Sequence, residues 1–224
     1  MRWMTKPKVS VVIATYNRED SLRAALDSVL SQTFQNWEVR LVDDGSTDHT
    51  RKIVQDYLDK YKKIHYYYQN NKGVAEAKNR GVREAEGQYI TFLDSDDRYK
   101  ENHLESRIEI LDQNPEIELL HGGVQIIGEE YVPDRHNPKA QIHLSECTIG
   151  ATFFIRPSLF LGLGGFYKMP LGTDADFYQR AQEAGIRILK TSTPTYIYDR
   201  TLDDSITKRL SSTILSTQES NKLK

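Results

Sequence analysis

Apolar strands alternate with amphipathic helices through the first hundred residues, and this alternation constrains the fold more than any other feature. The nearly continuous apolar, β-branched run from Val9 to Ala14 predicts a buried strand of a parallel sheet. Apolar residues then recur at helical spacing from Leu22 to Leu30, which predicts a helix that ends near Gln32. A strand followed by a helix is one β-α unit.

The same unit repeats along the chain. Its later copies are a strand at 37–42 with a helical stripe at 53–61, a strand at 64–68 with a helix at 74–86, and a strand at 88–93. Successive strand and helix pairs are typical of an open α/β sheet that is mixed but mostly parallel and flanked by helices. We therefore expect an α/β fold.

Beyond Tyr99 the pattern is less regular, although further elements can be assigned. We expect helices at 102–113 and 173–184, short strands at 117–121, 124–127, 148–155, 186–189 and 195–198, a glycine-rich turn at 161–166, and a polar loop or flap at 129–146. Residues 211–224 are polar and predict a flexible C-terminal tail. Residues 1–210 are thus predicted to form one domain with halves at 8–99 and 100–210.

Charge and cysteine content narrow the choice of partners and compartment. The 30 Lys and Arg against 32 Asp and Glu give a net charge of -2, which argues against a nucleic-acid partner. Cys147 is the only cysteine, so an internal disulfide is excluded and a reducing compartment is favoured. We see no signal peptide and no apolar run of the ~20 residues that span a bilayer. A cytoplasmic protein, at most peripherally associated with the inner face of a membrane, is expected.

Polar residues follow the predicted strands at the edge where parallel sheets bind ligands. Those expected to face one crevice are Thr15, Tyr16, Asn17, Asp43, Asp44, Asp94, Asp96 and Asp97. So many carboxylates repel one another unless a cation or a hydrogen-bonding ligand joins them, which favours a binding site. For Asp44 with Gly45 and Ser46, an ordinary Asx-turn or helix cap explains the residues equally well.

The step Asp94-Ser95-Asp96 is the sharpest local signal. Two acids at a strand end can present oxygens to Mg²⁺ or Mn²⁺ while leaving coordination positions for a diphosphate, although a solvated acidic turn is the alternative. Such an ion stabilises a departing diphosphate. No Gly-x-Gly-x-x-Gly or Walker-type loop is present, which disfavours dinucleotide and P-loop enzymes.

Several blocks of sequence, taken together, resemble the family 2 glycosyltransferases. They are Val9 to Arg18, Ser31-Gln32-Thr33, Val42 to Asp48, Asn71-Lys72-Gly73, Ala77 to Gly81, and Gly87 to Asp97. Their order and spacing match the nucleotide-binding half of that family, and the resemblance is strong from Lys8 to Tyr99. It implies a GT-A fold, a nucleotide diphosphate sugar donor, and a glycan, lipid-linked or protein acceptor.

The resemblance also implies roles for individual residues in the first half. Thr15, Tyr16 and Arg18 would line the base and ribose, Asp43 would accept from the nucleobase, and Asp44 would support that turn. Asp94 would face the ribose, Asp96 with Asp94 would bind the metal, and Asp97 would act as a helper. Asn17, Gly73 and Ser95 are further candidates for binding the nucleotide sugar. Lys78 and Arg80 are candidates for contact with phosphate. A solvated helix face explains each of these two equally well.

A general base is expected from the second half, where relatives carry an acidic pair shortly before a helix. Asp174 occupies the matching place and would take the proton from the acceptor hydroxyl, so that the sugar is transferred with inversion. Asp176 is the fallback base, and the competing interpretation is that Asp174 or Thr173 caps the helix.

The chain departs from the family pattern in three places. Thr173 replaces the acid that often precedes the base, and no Gln-x-x-Arg-Trp step is present near Gln179, which disfavours processive synthesis. Near 200–205, Asp203 and Asp204 stand where some relatives have a metal-binding histidine. His136 and His143 in the flap are interpreted as exposed rather than as ligands.

Two rival functions compete with this interpretation. Asp94 and Asp96 after an apolar strand also resemble haloacid-dehalogenase phosphatases, but in that class the motif follows the first strand rather than the fourth. The other rival is a catalytically inactive module that binds a nucleotide sugar, which the replacement at Thr173 suggests. We predict a non-processive transferase that uses a UDP-sugar and Mn²⁺ or Mg²⁺ in cell-surface polysaccharide synthesis.

Overall fold

The computed structural model describes residues 6–134, 137 and 140–201. The predicted domain end at 210, the predicted tail at 211–224 and the residues His136, Asp203 and Asp204 lie outside this part. The strands are β1 Val9–Thr15, β2 Trp37–Asp43, β3 Ile64–Tyr68, β4 Tyr89–Asp94, β5 Arg98–Tyr99, β6 Leu119–Ile127, β7 Tyr131–Pro133, β8 Gln141–His143, β9 Phe154–Ile155 and β10 Ile188–Asp199. The helices are α1 Leu22–Leu30, α2 Thr50–Leu58, α3 Val74–Arg83, α4 His103–Gln113, α5 Pro157–Gly162 and α6 Thr173–Glu183.

Eight of these strands form one mixed sheet in the order β3-β2-β1-β4-β9-β6-β10-β5. The first four in that order are parallel, as the repeated strand and helix units predict, and β6 and β10 are also parallel. The short strands β9 and β5 pair antiparallel with their neighbours. The predicted α/β fold with a mixed, mostly parallel sheet is confirmed.

Helices cover both faces of the sheet, which explains why β1 is apolar at nearly every position. Val11 and Ile13 pack into the cluster that holds α1, α2 and α4, whereas Val12 packs on the opposite face with α3, α5 and α6. Successive side chains of a strand point to opposite faces, so a strand covered on both sides must be apolar throughout. All three side chains are fully buried.

The second half of the sheet differs from the short strands predicted for it. One strand, β6, replaces the two short strands predicted at 117–121 and 124–127. Likewise, one strand, β10, replaces those predicted at 186–189 and 195–198. Gly122 and Gly123 have φ of 89° and 71°, and the β6 to β10 register shifts between Thr191 and Tyr196. The Arg107 side chain donates to the carbonyls of Gly122 and Thr193 across this irregularity. The strands therefore bulge there but continue.

Three other expectations were incomplete or wrong. The strand predicted at 148–155 is wrong over most of its length, because Gly150–Thr152 forms a 3-10 turn and β9 spans only two residues. Helix α5 precedes the glycine-rich turn and was not predicted. The presumed flap at 129–146 contains the hairpin β7 to β8.

Within the described residues, no helix has both the length and the apolar character needed to cross a membrane.

Candidate active site

A cleft of about 590 Å³ lies at the carboxyl ends of β1 and β4, between the start of α3 and the start of α6. This is the edge at which parallel α/β sheets bind ligands. The residues expected at the site that do line this cleft are Thr15, Tyr16, Asn17, Arg18, Asp44, Gly73, Lys78, Asp94, Ser95, Asp96 and Asp174. Asp43, Arg80 and Asp97, also expected there, do not.

The loop after β1 is held by the loop after β2. The Asn17 amide donates to Ser46 Oγ at 2.9 Å, and Asn17 Oδ1 accepts from the Thr47 amide at 2.8 Å. Asn17 adopts φ of 50°, a left-handed conformation that asparagine tolerates better than most residues. Thr15 Oγ1 is buried without a hydrogen-bond partner within the described part. This loop thus presents a fixed backbone beside the cleft.

Asp43 lies beneath the cleft rather than in its wall. Its side chain is fully buried, Oδ1 accepts from the Ser46 amide at 2.8 Å, and Oδ2 accepts from the Tyr66 hydroxyl at 2.8 Å. Burial and the hydrogen bond to Asp43 raise the pKa of Tyr66 above its ordinary value, so the phenol remains a donor. The described contacts of Asp43 organise the turn after β2.

Asp44 joins the turn after β2 to the start of α3. Its Oδ1 accepts from Gln69 Nε2 at 2.8 Å and from the Lys72 amide at 2.9 Å, and its Oδ2 accepts from the Gly73 amide at 2.8 Å. Gly73 has φ of 96°, a conformation that glycine adopts without strain. Through these contacts, the Asp44 carboxylate fixes the cleft wall at 69–73.

Lys78 projects from α3 into the cleft and pairs with Asp94, with 2.6 Å between Nζ and Oδ1. Burial by itself lowers the pKa of Lys78, but the charges of Asp94 and Asp174 outweigh it, so the net pKa is raised. The lysine therefore carries its positive charge beside the Asp94 carboxylate, and the charge of Asp174 helps to stabilise it.

Arg80, two residues further along α3, lies outside the cleft. Its Nη1 donates to the Tyr68 carbonyl at 2.8 Å and to Gln69 Oε1 at 3.4 Å, and its guanidinium lies 5.6 Å from the centroid of the Tyr67 ring. These contacts tie α3 to the edge strand β3. The structure therefore places Arg80 among structural partners and not beside the other candidate residues.

The adjacent acids after β4 point in different directions. Asp96 lines the cleft, and its Oδ2 lies 3.8 Å from Arg18 Nη2. Asp97 turns inward, where Oδ2 accepts from the Tyr196 hydroxyl at 2.6 Å and Oδ1 accepts from the Asp199 amide at 2.9 Å. Burial, together with the charges of Asp94 and Asp96, raises the pKa of Asp97 well above its ordinary value. Asp97 is thus engaged within the fold rather than presented as a helper at the cleft.

The cleft offers a small set of hard oxygen ligands. Among the described residues, no group of three or more His, Cys, Asp or Glu side chains is arranged to hold a metal ion. Asp94 and Asp96 nevertheless both present carboxylates to the cleft. Mg²⁺ is commonly held by one or two carboxylates together with waters and substrate phosphates. The residues present therefore fit a hard divalent ion that completes its coordination with diphosphate oxygens.

Asp174, in the first turn of α6, lines the same cleft as Asp94 and Asp96. Its Oδ2 accepts from the Gly150 amide at 2.8 Å, and a Cβ at Gly150 would lie 2.7 Å from the Cβ of Asp174, so glycine permits this approach. Helix α6 has no side-chain N-cap hydrogen bond in the described part, and its N-cap is Gly172. Asp176 instead pairs with Arg180 at 2.8 Å. Asp174, not Asp176, is presented to the cleft.

Several lining residues were not predicted as part of the site. The lining residues that were not assigned to the site from the sequence are Ala14, Asn71, Val74, Ala75, Ala77, Gly150, Phe166, Tyr198 and the segment 169–173. Ala14, Asn71 and Ala77 nevertheless lie in blocks quoted for the family resemblance, and Phe166 ends the predicted glycine-rich turn. Gly150 and Tyr198 carried no such signal, because their approach to the cleft depends on the turn at Gly150–Thr152 and on the course of β10.

Comparison with known proteins gives concordant results. Residues 10–166 match glycosyl transferase family 2, which is well over half of the chain. The proposed teichuronic acid biosynthesis glycosyltransferase TuaG of Bacillus subtilis (strain 168) is 43% identical over 107 residues, which cover 47% of this chain and 42% of TuaG. The chain spans about half or less of the length of the curated relatives it matches.

Solved structures share the fold. The crystal structure of S. aureus TarS 1-349 in complex with UDP-GlcNAc superposes with a TM-score of 0.74 at 24% identity, over 89% of this chain and 60% of that one. The mannosyltransferase PcManGT from Pyrobaculum calidifontis, in complex with GDP-Man and Mn²⁺, gives 0.70 at 21% identity, over 87% of this chain and 57% of that one. These likenesses establish the expected GT-A fold. The fold and the sequence match agree, and the chain belongs to glycosyl transferase family 2.

Proposed function

We propose that this chain transfers one sugar from a nucleotide diphosphate donor to an acceptor hydroxyl with inversion of configuration. The observation that carries the proposal is the shared cleft. The Asp94-Ser95-Asp96 step and the Asp174 side chain line the same cleft, and the Lys78 ammonium pairs with Asp94 and is stabilised by the charge of Asp174. This arrangement supplies ligands for a diphosphate and its cation together with a base for the acceptor.

The proposed donor is a UDP-sugar. The family resemblance favours UDP, and the TarS complex with UDP-GlcNAc supports it, whereas the PcManGT complex with GDP-Man marks GDP as the alternative to test. Thr15, Tyr16, Asn17 and Arg18 would contact the base and ribose from the loop after β1.

In the proposed reaction, Asp174 accepts the proton of the acceptor hydroxyl as that oxygen bonds to the anomeric carbon. The bond between that carbon and the diphosphate breaks, and its electron pair leaves with the diphosphate. Lys78 offsets the negative charge of the acids around the leaving group. Mg²⁺ or Mn²⁺, held by Asp96 with Asp94, supplies further charge stabilisation of the diphosphate when bound.

The two halves of the chain would bind different substrates. The half at 8–99 would hold the donor, and the half at 100–210 would shape the acceptor site, through Asp174 and the segment 169–173 as far as the structure describes it. TuaG supports cell-surface polysaccharide synthesis as the setting, with a glycan, lipid-linked sugar or protein as acceptor. The single cysteine supports a cytoplasmic location, or a peripheral one at the inner face of the membrane.

Nucleotide release from UDP-GlcNAc, UDP-glucose and GDP-mannose tests the proposal, with the near-isosteric variants Asp174→Asn and Asp176→Asn. We expect Asp174→Asn to lower turnover ~10²- to 10⁴-fold while nucleotide binding persists. Asp176→Asn should keep most turnover, because Asp176 faces Arg180. A larger loss in Asp176→Asn would reassign the base. A wild-type protein that binds nucleotide but releases none would favour the inactive binding module.

A further inference from the structure

Two hydrogen bonds from one side chain join helix α3 to the turn at Gly165 and Phe166, from which the chain leads to Asp174. Asn79 Nδ2 donates to the Phe166 carbonyl at 2.8 Å, and the Phe166 amide donates to Asn79 Oδ1 at 2.8 Å. Asn79 follows Lys78 on α3 and is 9% exposed. One side-chain amide thus satisfies both backbone groups of a residue 87 positions away, which fixes distance and orientation together.

The turn that Asn79 holds is restrained from its other side as well. Arg180 Nη2 donates to the Gly165 carbonyl at 2.7 Å, and the Arg180 guanidinium lies 4.0 Å from the centroid of the Tyr167 ring. Gly165 has φ of 65°, and a Cβ there would lie 2.7 Å from Asn79 Oδ1. The backbone at Gly165 and Phe166 is therefore fitted closely between α3 and α6.

A short, partly anchored segment runs from this turn to Asp174. Phe166 itself lines the cleft, as does the stretch at 169–173, and Thr173 Oγ1 donates to the Tyr167 carbonyl at 3.4 Å. At its far end, Asp174 Oδ2 accepts from the Gly150 amide. Gly150 restrains Asp174 from one side, and the turn held by Asn79 restrains the segment that leads into it.

We infer that Asn79 is a positioning residue for Asp174, through its paired hydrogen bonds to Phe166. The inference rests on the proposed function, in which Asp174 is the base. Asn79 is not among the residues that line the cleft, so it is placed to act on the base through Phe166 rather than by contact with donor or acceptor. Through these hydrogen bonds, helix α3, which carries Lys78, also sets the position of the Asp174 carboxylate in the cleft.

The test compares Asn79→Ala and Asn79→Asp with Arg83→Ala, an exposed residue of α3 that pairs with Glu76. Asn79→Asp keeps an acceptor for the Phe166 amide but places a second oxygen against the Phe166 carbonyl, so it carries the test if the alanine variant does not fold. We expect kcat for nucleotide release to fall about 10²-fold in both Asn79 variants, since a displacement of about 1 Å has effects of this size. The Kd for UDP should stay unchanged.

A double variant separates positioning from a general structural effect. If Asn79 acts through Asp174, the variant carrying both Asn79→Ala and Asp174→Asn should be no slower than Asp174→Asn alone. Multiplicative losses in that double variant, or Asn79 variants with the kcat of Arg83→Ala, would overturn the inference while the proposed function stands. A wild-type protein that releases no nucleotide from any donor would refute the proposed function and this inference with it.

Discussion

Replacing Asp44 tests how the cleft wall at 69–73 is held. The carboxylate is 3% exposed and accepts hydrogen bonds from Gln69 Nε2 and from the amides of Lys72 and Gly73. In Asp44→Asn, the amide oxygen can still accept where Oδ1 does, but an NH₂ group replaces the oxygen that faces the Gly73 amide. In Asp44→Ala, all three hydrogen bonds are lost.

The expected loss of stability follows from these contacts. A hydrogen bond to a charged group contributes about 1.5–3 kcal/mol, so Asp44→Asn should lower the free energy of unfolding by about 2 kcal/mol. Asp44→Ala should cost about 4 kcal/mol, less than the sum of three such bonds, because Lys72 is exposed and water replaces part of the loss. Affinity for UDP should fall in both variants, since Gly73 lines the cleft.

Urea unfolding measures the stability change, and calorimetry measures the UDP affinity. Asp56→Asn is the matched control, because the half-exposed Asp56 of α2 forms a surface ion pair with Arg23, and such pairs contribute at most about 1 kcal/mol. If Asp44→Asn were as stable as Asp56→Asn and bound UDP as tightly as the wild type, Asp44 would not hold this loop, and the reasoning would be refuted.

Packing and pH provide two further predictions. A Cβ at Gly81 would lie 2.4 Å from Val12 Cγ1, so Gly81→Ala should lower the free energy of unfolding by about 1–3 kcal/mol, as measured by urea unfolding. Gly162→Ala is the control and should not be destabilised, because no atom lies within 4 Å of the added Cβ. Equal stability of the two variants would contradict the packing of α3 on β1. Burial, with the nearby charge of Lys190, lowers the pKa of His121 from 6.5 to about 4, so its contribution to stability is complete above pH 6.5 and is lost as the pH falls toward 4. Between pH 7 and pH 5, the free energy of unfolding should fall by about 2 kcal/mol less in His121→Phe than in the wild type. An equal fall in the two proteins would contradict this prediction.

The first half of the fold and much of the site could be predicted because local patterns determine them. The run from Val9 to Ala14 is apolar on both faces of its strand, and this pattern predicts a central parallel strand. Parallel strands end at one edge, so Thr15, Asp44 and Asp94 could be placed in one cleft before any contact was known.

The features that were missed depend on contacts between distant residues. The sequence at 94–97 does not indicate which acids turn inward, since Asp97 is drawn away by Tyr196, 99 positions later. Likewise, Gly122 interrupts the apolar pattern but not β6, because β10 continues beside it. The direction of Arg80 depends on the edge strand β3, and the contact of Asp174 with Gly150 depends on a turn that resembled a strand.

The central claim is that the cleft binds a nucleotide diphosphate with a divalent ion held by Asp96. Calorimetric titration of UDP, GDP, dTDP and CDP, each with Mn²⁺ and then with EDTA, tests this claim most directly, with Asp96→Ala as the comparison. We predict that UDP binds in the presence of Mn²⁺, that EDTA weakens this binding, and that Asp96→Ala abolishes the difference between the two conditions. Failure of all four nucleotides to bind the wild-type protein in either condition would contradict the account.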